Sequence, residues 1–113
     1  MCEFTVFRGA KDAEEKVAED IIRVKMGDGD LFLYDVLGRL TRVENSLIEE
    51  LSVDKERMRI AKMPILSPLL RFAQIYERCL AEGRFLEEIE AALEDVKRRG
   101  DEVIRSLRLK YTR

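Results

Sequence analysis

The chain has 113 residues, 46% hydrophobic and 39% charged, with two cysteines and no histidine, which allows one modest domain or a very small one with an appendage. Lack of histidine excludes Ser-His-Asp and Cys-His catalysis, imidazole bases and every zinc site that needs a His ligand. The formal net charge of −2 disfavours general binding to polyanions, no run nears the roughly 18 apolar residues of a membrane span, and Glu3 and Arg8 break any secretory h-region, so a cytoplasmic protein is expected.

The chain opens on Met1-Cys2-Glu3-Phe4-Thr5-Val6-Phe7. Alternation over 2–8 predicts a strand with Cys2, Phe4 and Val6 on one face and Glu3, Thr5 and Phe7 on the other. This places the Cys2 thiol at the strand's open end, within reach of a metal or a second subunit. Gly9 to Lys16 reads as a charged connection, with Gly9 and Asp12 suited to a loop. From Val17 to Met26 the apolar residues Ile22, Val24 and Met26 alternate with Arg23 and Lys25, as in a half-buried strand. Ile21 breaks the phase, and a bulge near Asp20-Ile21 accounts for it. Gly27-Asp28-Gly29-Asp30 reads as a hairpin turn, not a calcium loop, which needs more ligands at fixed spacing.

Leu31 to Val36 is a nearly continuous apolar run, as in a buried or barrel strand. Gly38 and Asn45-Ser46 mark turns on either side of 39–44. Around a turn at Asp54-Lys55-Glu56, Leu51 and Val53 are expected to match Met58 and Ile60, with Arg57 and Arg59 facing outward. Six short strands in about sixty residues predict a mainly β fold built on a small closed barrel, which leaves no free edge.

At Met63-Pro64 the period changes, predicting a barrel over 1–63 and a helical extension over 64–113. Ser67-Pro68 is expected as N-cap and first helical residue. Leu69, Leu70, Phe72, Ala73, Tyr76, Cys79 and Leu80 then recur at three- and four-residue steps up to Gly83. Cys79 on that face reads as an inert core thiol. A second helix is expected from about Arg84 to Arg99, and Gly100 either ends it or is a tolerated interruption.

Two thiols in different modules indicate no disulfide framework. Residues 1–63 hold eleven Lys and Arg against fourteen Asp and Glu, and 64–113 hold ten against nine, so neither half has the clustered positive charge of an RNA binder. Phe4, Phe7, Phe32 and Tyr34 could stack bases, although aromatics on such strands more often serve the core.

Met1-Cys2 ahead of an alternating strand, Lys16-Val17-Ala18-Glu19-Asp20, Asp35-Val36-Leu37-Gly38-Arg39 and Val43-Glu44-Asn45-Ser46-Leu47-Ile48-Glu49-Glu50 resemble the CooT family over residues 1 to about 62. The resemblance implies a small SH3-like or Sm-like β-barrel. It also implies a homodimeric nickel-binding accessory protein of carbon monoxide dehydrogenase, not an enzyme, that carries Ni(II) on the cysteine corresponding to Cys2 and hands it to a nickel enzyme. Glu3 adds at most its backbone nitrogen. A thiolate with nitrogen donors suits Ni(II) or Cu(II), and copper would bind more tightly. Relatives labelled as RNA-binding imply the runner-up, an Sm-like RNA-binding barrel. A third reading is an interaction module that docks a partner through its helical tail, which departs from the shortest members.

Overall fold

The protein is described by a computed structural model over residues 2–9 and 13–112. Met1, Arg113 and residues 10–12 of the expected first connection, Asp12 included, lie outside the described residues. By Cα proximity the chain forms two compact units, 1–63 and 64–113.

The first unit is one mixed sheet of β1 (Phe4–Arg8), β2 (Glu15–Gly27), β3 (Asp30–Asp35), β4 (Leu40–Val43), β5 (Ser46–Ser52) and β6 (Arg57–Lys62). The strand order is β4-β3-β2-β1-β6-β5. All ladders are antiparallel except β1 with β6, which are parallel and align Thr5 with Arg57 and Val6 with Met58. Val6, Ile21, Leu31, Leu33, Val43, Met58 and Ile60 form the buried cluster, with Phe4, Val17, Ala18 and Val24 packed against it. Each fully buried aliphatic side chain of this kind contributes roughly 1.5–3 kcal/mol.

The break in phase at Ile21 is a bulge. Phe4 faces Ile21 and Val6 faces Ala18, so two steps along β1 match three along β2. Asp20 takes φ +58 there, a left-handed conformation that aspartate tolerates better than most residues. The consequence corrects the expected face of β2: Ile21 is 1% exposed, whereas Ile22 and Met26 are 44% and 40% exposed. The extra residue, not the longer alternating run, decides which isoleucine enters the core.

Positive φ at both Asp28 and Gly29 makes the β2–β3 connection the two-residue primed turn that suits the twist of a hairpin. Asp30, buried at the start of β3, accepts hydrogen bonds from Arg42 Nε at 2.9 Å, Arg42 Nη2 at 2.6 Å and the Asn45 amide at 3.2 Å. One carboxylate thereby ties β3 to β4 and to the following turn, and the pair raises the Arg42 pKa. In the β5–β6 hairpin Leu51 does face Met58, but Ile60 faces Ile48. Val53 falls in the turn and is largely exposed, because an irregularity between Ile48 and Glu50 shifts the register by one residue.

The expected closed barrel is corrected. The sheet is open, with β4 and β5 as its edges. Glu44-Asn45 carries the chain from one edge to the other, and β3 approaches β5 across the opening, but no ladder joins them. In β4 only Val43 is buried and Leu40, Thr41 and Arg42 are exposed, so this strand offers little apolar area to seal a seam.

The second unit is a helical hairpin of α1 (Leu66–Glu82) and α2 (Glu88–Tyr111). Helix and strand account for 39% and 38% of the described residues, so "mainly β" describes the first unit only. α1 begins earlier than expected, at a cap formed by Ile65 without a side-chain hydrogen bond. Ser67 lies inside the first turn, its Oγ accepting from Arg71 Nη2 at 2.9 Å. Pro68 is tolerated there because the first four helical amides have no intrahelical acceptor. Gly83 closes α1 at φ +66, its amide donating to the Cys79 carbonyl, the left-handed cap that glycine adopts without a Cβ clash. α2 starts later than expected and passes through Gly100 without a break. Glu88 and Glu90 in its first turn and Arg108 and Lys110 in its last complement its dipole. Among the described residues no helix is long and apolar enough to cross a membrane.

Candidate metal centre

Cys2 precedes β1, exposed and not in a disulfide. Its surroundings follow from the parallel β1–β6 ladder. Parallel strands start at the same end of a sheet, so the residues before β1 lie beside the turn that feeds β6. The Glu3 amide donates to Glu56 Oε2 at 3.3 Å and the Thr5 amide to the Glu56 carbonyl at 3.0 Å. Glu56 itself has φ +51, and its amide closes the turn on the Val53 carbonyl at 3.2 Å. In the same turn the Ser52 hydroxyl donates to Asp54 at 2.7 Å and, against partial desolvation, lowers the Asp54 carboxyl below its ordinary pKa.

Cys2 thus directly precedes Glu3, whose amide is held by the Glu56 carboxylate of the β5–β6 turn. Among the described residues no three Cys, Asp or Glu side chains come together as a metal-binding group. The donor set of one chain fits a thiolate metal ligand but does not complete a site. Glu3, the second predicted site residue, holds its backbone nitrogen in a hydrogen bond to Glu56, so ligation by that nitrogen requires release of the carboxylate. Sequence reasoning missed Glu56. Fifty-three residues separate it from Glu3, and only a non-local parallel pairing brings them together.

Cys79 is half-buried on α1, in the second unit. The four aromatics weighed as stacking platforms are half-buried strand residues outside the fully buried core. Arginine guanidinium groups lie over three of them: Arg57 over Phe7 at 4.2 Å, Arg23 over Tyr34 at 5.0 Å and Arg42 over Phe32 at 5.9 Å. Arg57 also pairs with Glu14 at 2.6 Å, and Arg59 with Glu49 at 3.1 Å. Arg8, Lys16, Arg39 and Arg42 are likewise held by carboxylates of the sheet.

The first unit is thus a small open six-stranded sheet with a free thiol ahead of its first strand. The sequence model of the family described as "CO dehydrogenase accessory protein CooT" matches residues 1–61, more than half of the chain, and the chain belongs to the CooT family. It is an accessory protein, not an enzyme. The crystal structure of a CooT candidate from Carboxydothermus hydrogenoformans is similar in fold, with 22% identity and a TM-score of 0.50 over 55% of this chain and 98% of that one. No curated protein matches the sequence. The helical hairpin lies outside the family match.

Proposed function

We propose that this protein is a nickel carrier in which two copies present their Cys2 thiolates to one Ni(II) at a homodimer interface. The observation that carries the reading is the position of Cys2: an exposed free thiol at the start of the family match, with no second cysteine in its own unit. A site with two soft ligands then needs a second chain, and two-fold symmetry brings a residue near the axis to its own mate. Metal on so exposed a site, held by few protein ligands, can be passed on by ligand exchange. The recipient in this reading is a nickel enzyme of the carbon monoxide dehydrogenase kind, reached in the cytoplasm. We also read the sheet as an SH3-like or Sm-like barrel with one seam unpaired. The Glu3 backbone nitrogen joins the metal only on leaving Glu56.

Native mass spectrometry at limiting metal tests the proposal. The expected result is one Ni(II) per two chains, with a thiolate-to-nickel absorption band that grows as pH rises, because a thiol must lose its proton to ligate. Monomers each carrying one nickel would overturn the shared site, and a Cys2→Ser variant that binds as tightly as the parent would overturn the carrier reading. Copper competition measures selectivity, since Cu(II) binds such donors more tightly than Ni(II) does.

A further inference from the structure

Among the described residues, those other than glycine with a positive φ are Asp20, Asp28, Asn45 and Glu56. Aspartate and asparagine visit the left-handed region at little cost, because their short polar side chains bond locally, whereas longer side chains do so rarely. Glu56, at φ +51, is the exception. It ends the turn of the β5–β6 hairpin, its amide closing on the Val53 carbonyl at 3.2 Å, a place where glycine or asparagine would sit with less strain. The turn itself does not call for a glutamate.

What the glutamate adds is its reach. Oε2 accepts from the Glu3 amide at 3.3 Å while the Glu56 carbonyl accepts from the Thr5 amide at 3.0 Å. Glycine has no group for the first of these bonds, and asparagine is one methylene shorter. The β1 strand starts at Phe4, so Cys2 and Glu3 have no strand pairing of their own, and the carboxylate ties them to the β5–β6 turn. The N–H that it accepts belongs to the planar peptide joining Cys2 to Glu3, so the bond orients the Cys2 backbone as well. An amide–carboxylate bond is charge-assisted, but at 3.3 Å between exposed residues it adds little to the stability of the sheet. Its effect is local order ahead of the first strand.

We propose, resting on the nickel-carrier reading, that Glu56 is a positioning residue: it holds the Cys2–Glu3 peptide so that each chain offers its thiolate already ordered, and it keeps the Glu3 nitrogen protonated and out of the ligand set. Without the carboxylate, the segment ahead of β1 must be ordered when metal binds, and that entropy is taken from the affinity. A left-handed glutamate is the kind of local strain that persists where a function uses it.

The test compares two variants of the full chain: Glu56→Gly, which relieves the backbone and removes the carboxylate, and Glu56→Gln, which keeps an oxygen acceptor at the same length and removes the charge. In the metal-free protein the NMR order parameter of the Glu3 amide is expected to fall below about 0.6 in Glu56→Gly and to stay near the parent value in Glu56→Gln. Nickel affinity, titrated through the thiolate band, is expected to weaken at least about tenfold in Glu56→Gly, the cost of ordering roughly one backbone residue, and by less than about threefold in Glu56→Gln. The melting temperature of Glu56→Gly is expected to hold or rise, since glycine adopts the left-handed φ freely. Nickel binding that is unchanged or tighter in Glu56→Gly would overturn the proposal, as would an unchanged Glu3 order parameter. An equal loss in Glu56→Gln overturns it too, because the carboxylate would then act as a charge or a ligand and not as an orienting acceptor. Should Glu56→Gly fail to fold, Glu56→Asn, which tolerates positive φ, is held to the same outcomes. A Cys2→Ser chain that binds nickel like the parent overturns the carrier reading instead, and the Glu3 order parameter still decides whether Glu56 holds the segment.

Discussion

The two units solve the burial problem differently. In the sheet unit Val6, Ile21, Leu31, Leu33 and Ile60 are 1% exposed or less, whereas the helical unit buries only Leu66, Leu86 and Ala92 among its apolar residues beyond α1's Pro68 and leaves Leu80, Phe85, Leu109 and Tyr111 more than 60% exposed. A twisted six-stranded sheet can curl around one of its faces and enclose a core by itself. Two helices touch along one line, and the rest of each cylinder stays open. The first unit therefore encloses its apolar side chains, and the second leaves many of its own exposed.

The largest expected effect separates the units outright. A chain ending at Met63 is predicted to keep the β-sheet circular dichroism and the nickel stoichiometry of the parent, because its core is drawn from that unit alone. Loss of cooperative unfolding in the truncated chain would show that the helices complete the sheet's core.

Next in size, Leu33→Ala is expected to cost about 3 kcal/mol in denaturant unfolding, since it removes a fully buried side chain and leaves a cavity. A cost below about 1 kcal/mol would mean that the open sheet collapses around the gap more readily than a closed core does.

The two cysteines sharpen the contrast further. Cys2→Ser is expected to weaken nickel binding by about 100-fold or more while leaving the melting curve unchanged. Cys79→Ala is expected to leave nickel binding intact and cost on the order of 1 kcal/mol, because it trims a half-buried helix face. Titration and thermal melts on both variants check the pair, and an exchange of the two phenotypes would break the division of roles.

The smallest effect is a pH dependence in the sheet unit. Partial burial acts to raise the Asp35 carboxyl, but the Arg39 amide, the Arg39 guanidinium and the Leu37 amide outweigh it and hold the group below its ordinary pKa. A depressed carboxylate binds its proton more readily in the unfolded chain. Its stabilisation is therefore complete above about pH 4, near the ordinary aspartate value, and is lost as pH falls through the lowered native one. Asp35→Asn is expected to flatten the acid limb of a stability-against-pH curve, and an unchanged limb would place the acid sensitivity elsewhere.

Local patterns carried most of what was legible in the sequence. Period-two runs between turn residues gave six strands, because alternation and positive-φ residues such as Asp28-Gly29 act over a few neighbours. Gly83 marked the end of α1 for the same reason, and Cys2 stood out as the one thiol in the N-terminal half of a sequence without histidine. Only the tertiary structure decided that Ile21 and not Ile22 enters the core, since a bulge changes the phase of everything after it. It likewise decided that the sheet stays open between β4 and β5, that Gly100 lies within one continuous helix, and that Glu56 neighbours Glu3. Each of these depends on which distant segments pair, and the free energy of that pairing is shared across the whole sheet or hairpin, so no short stretch of residues records it.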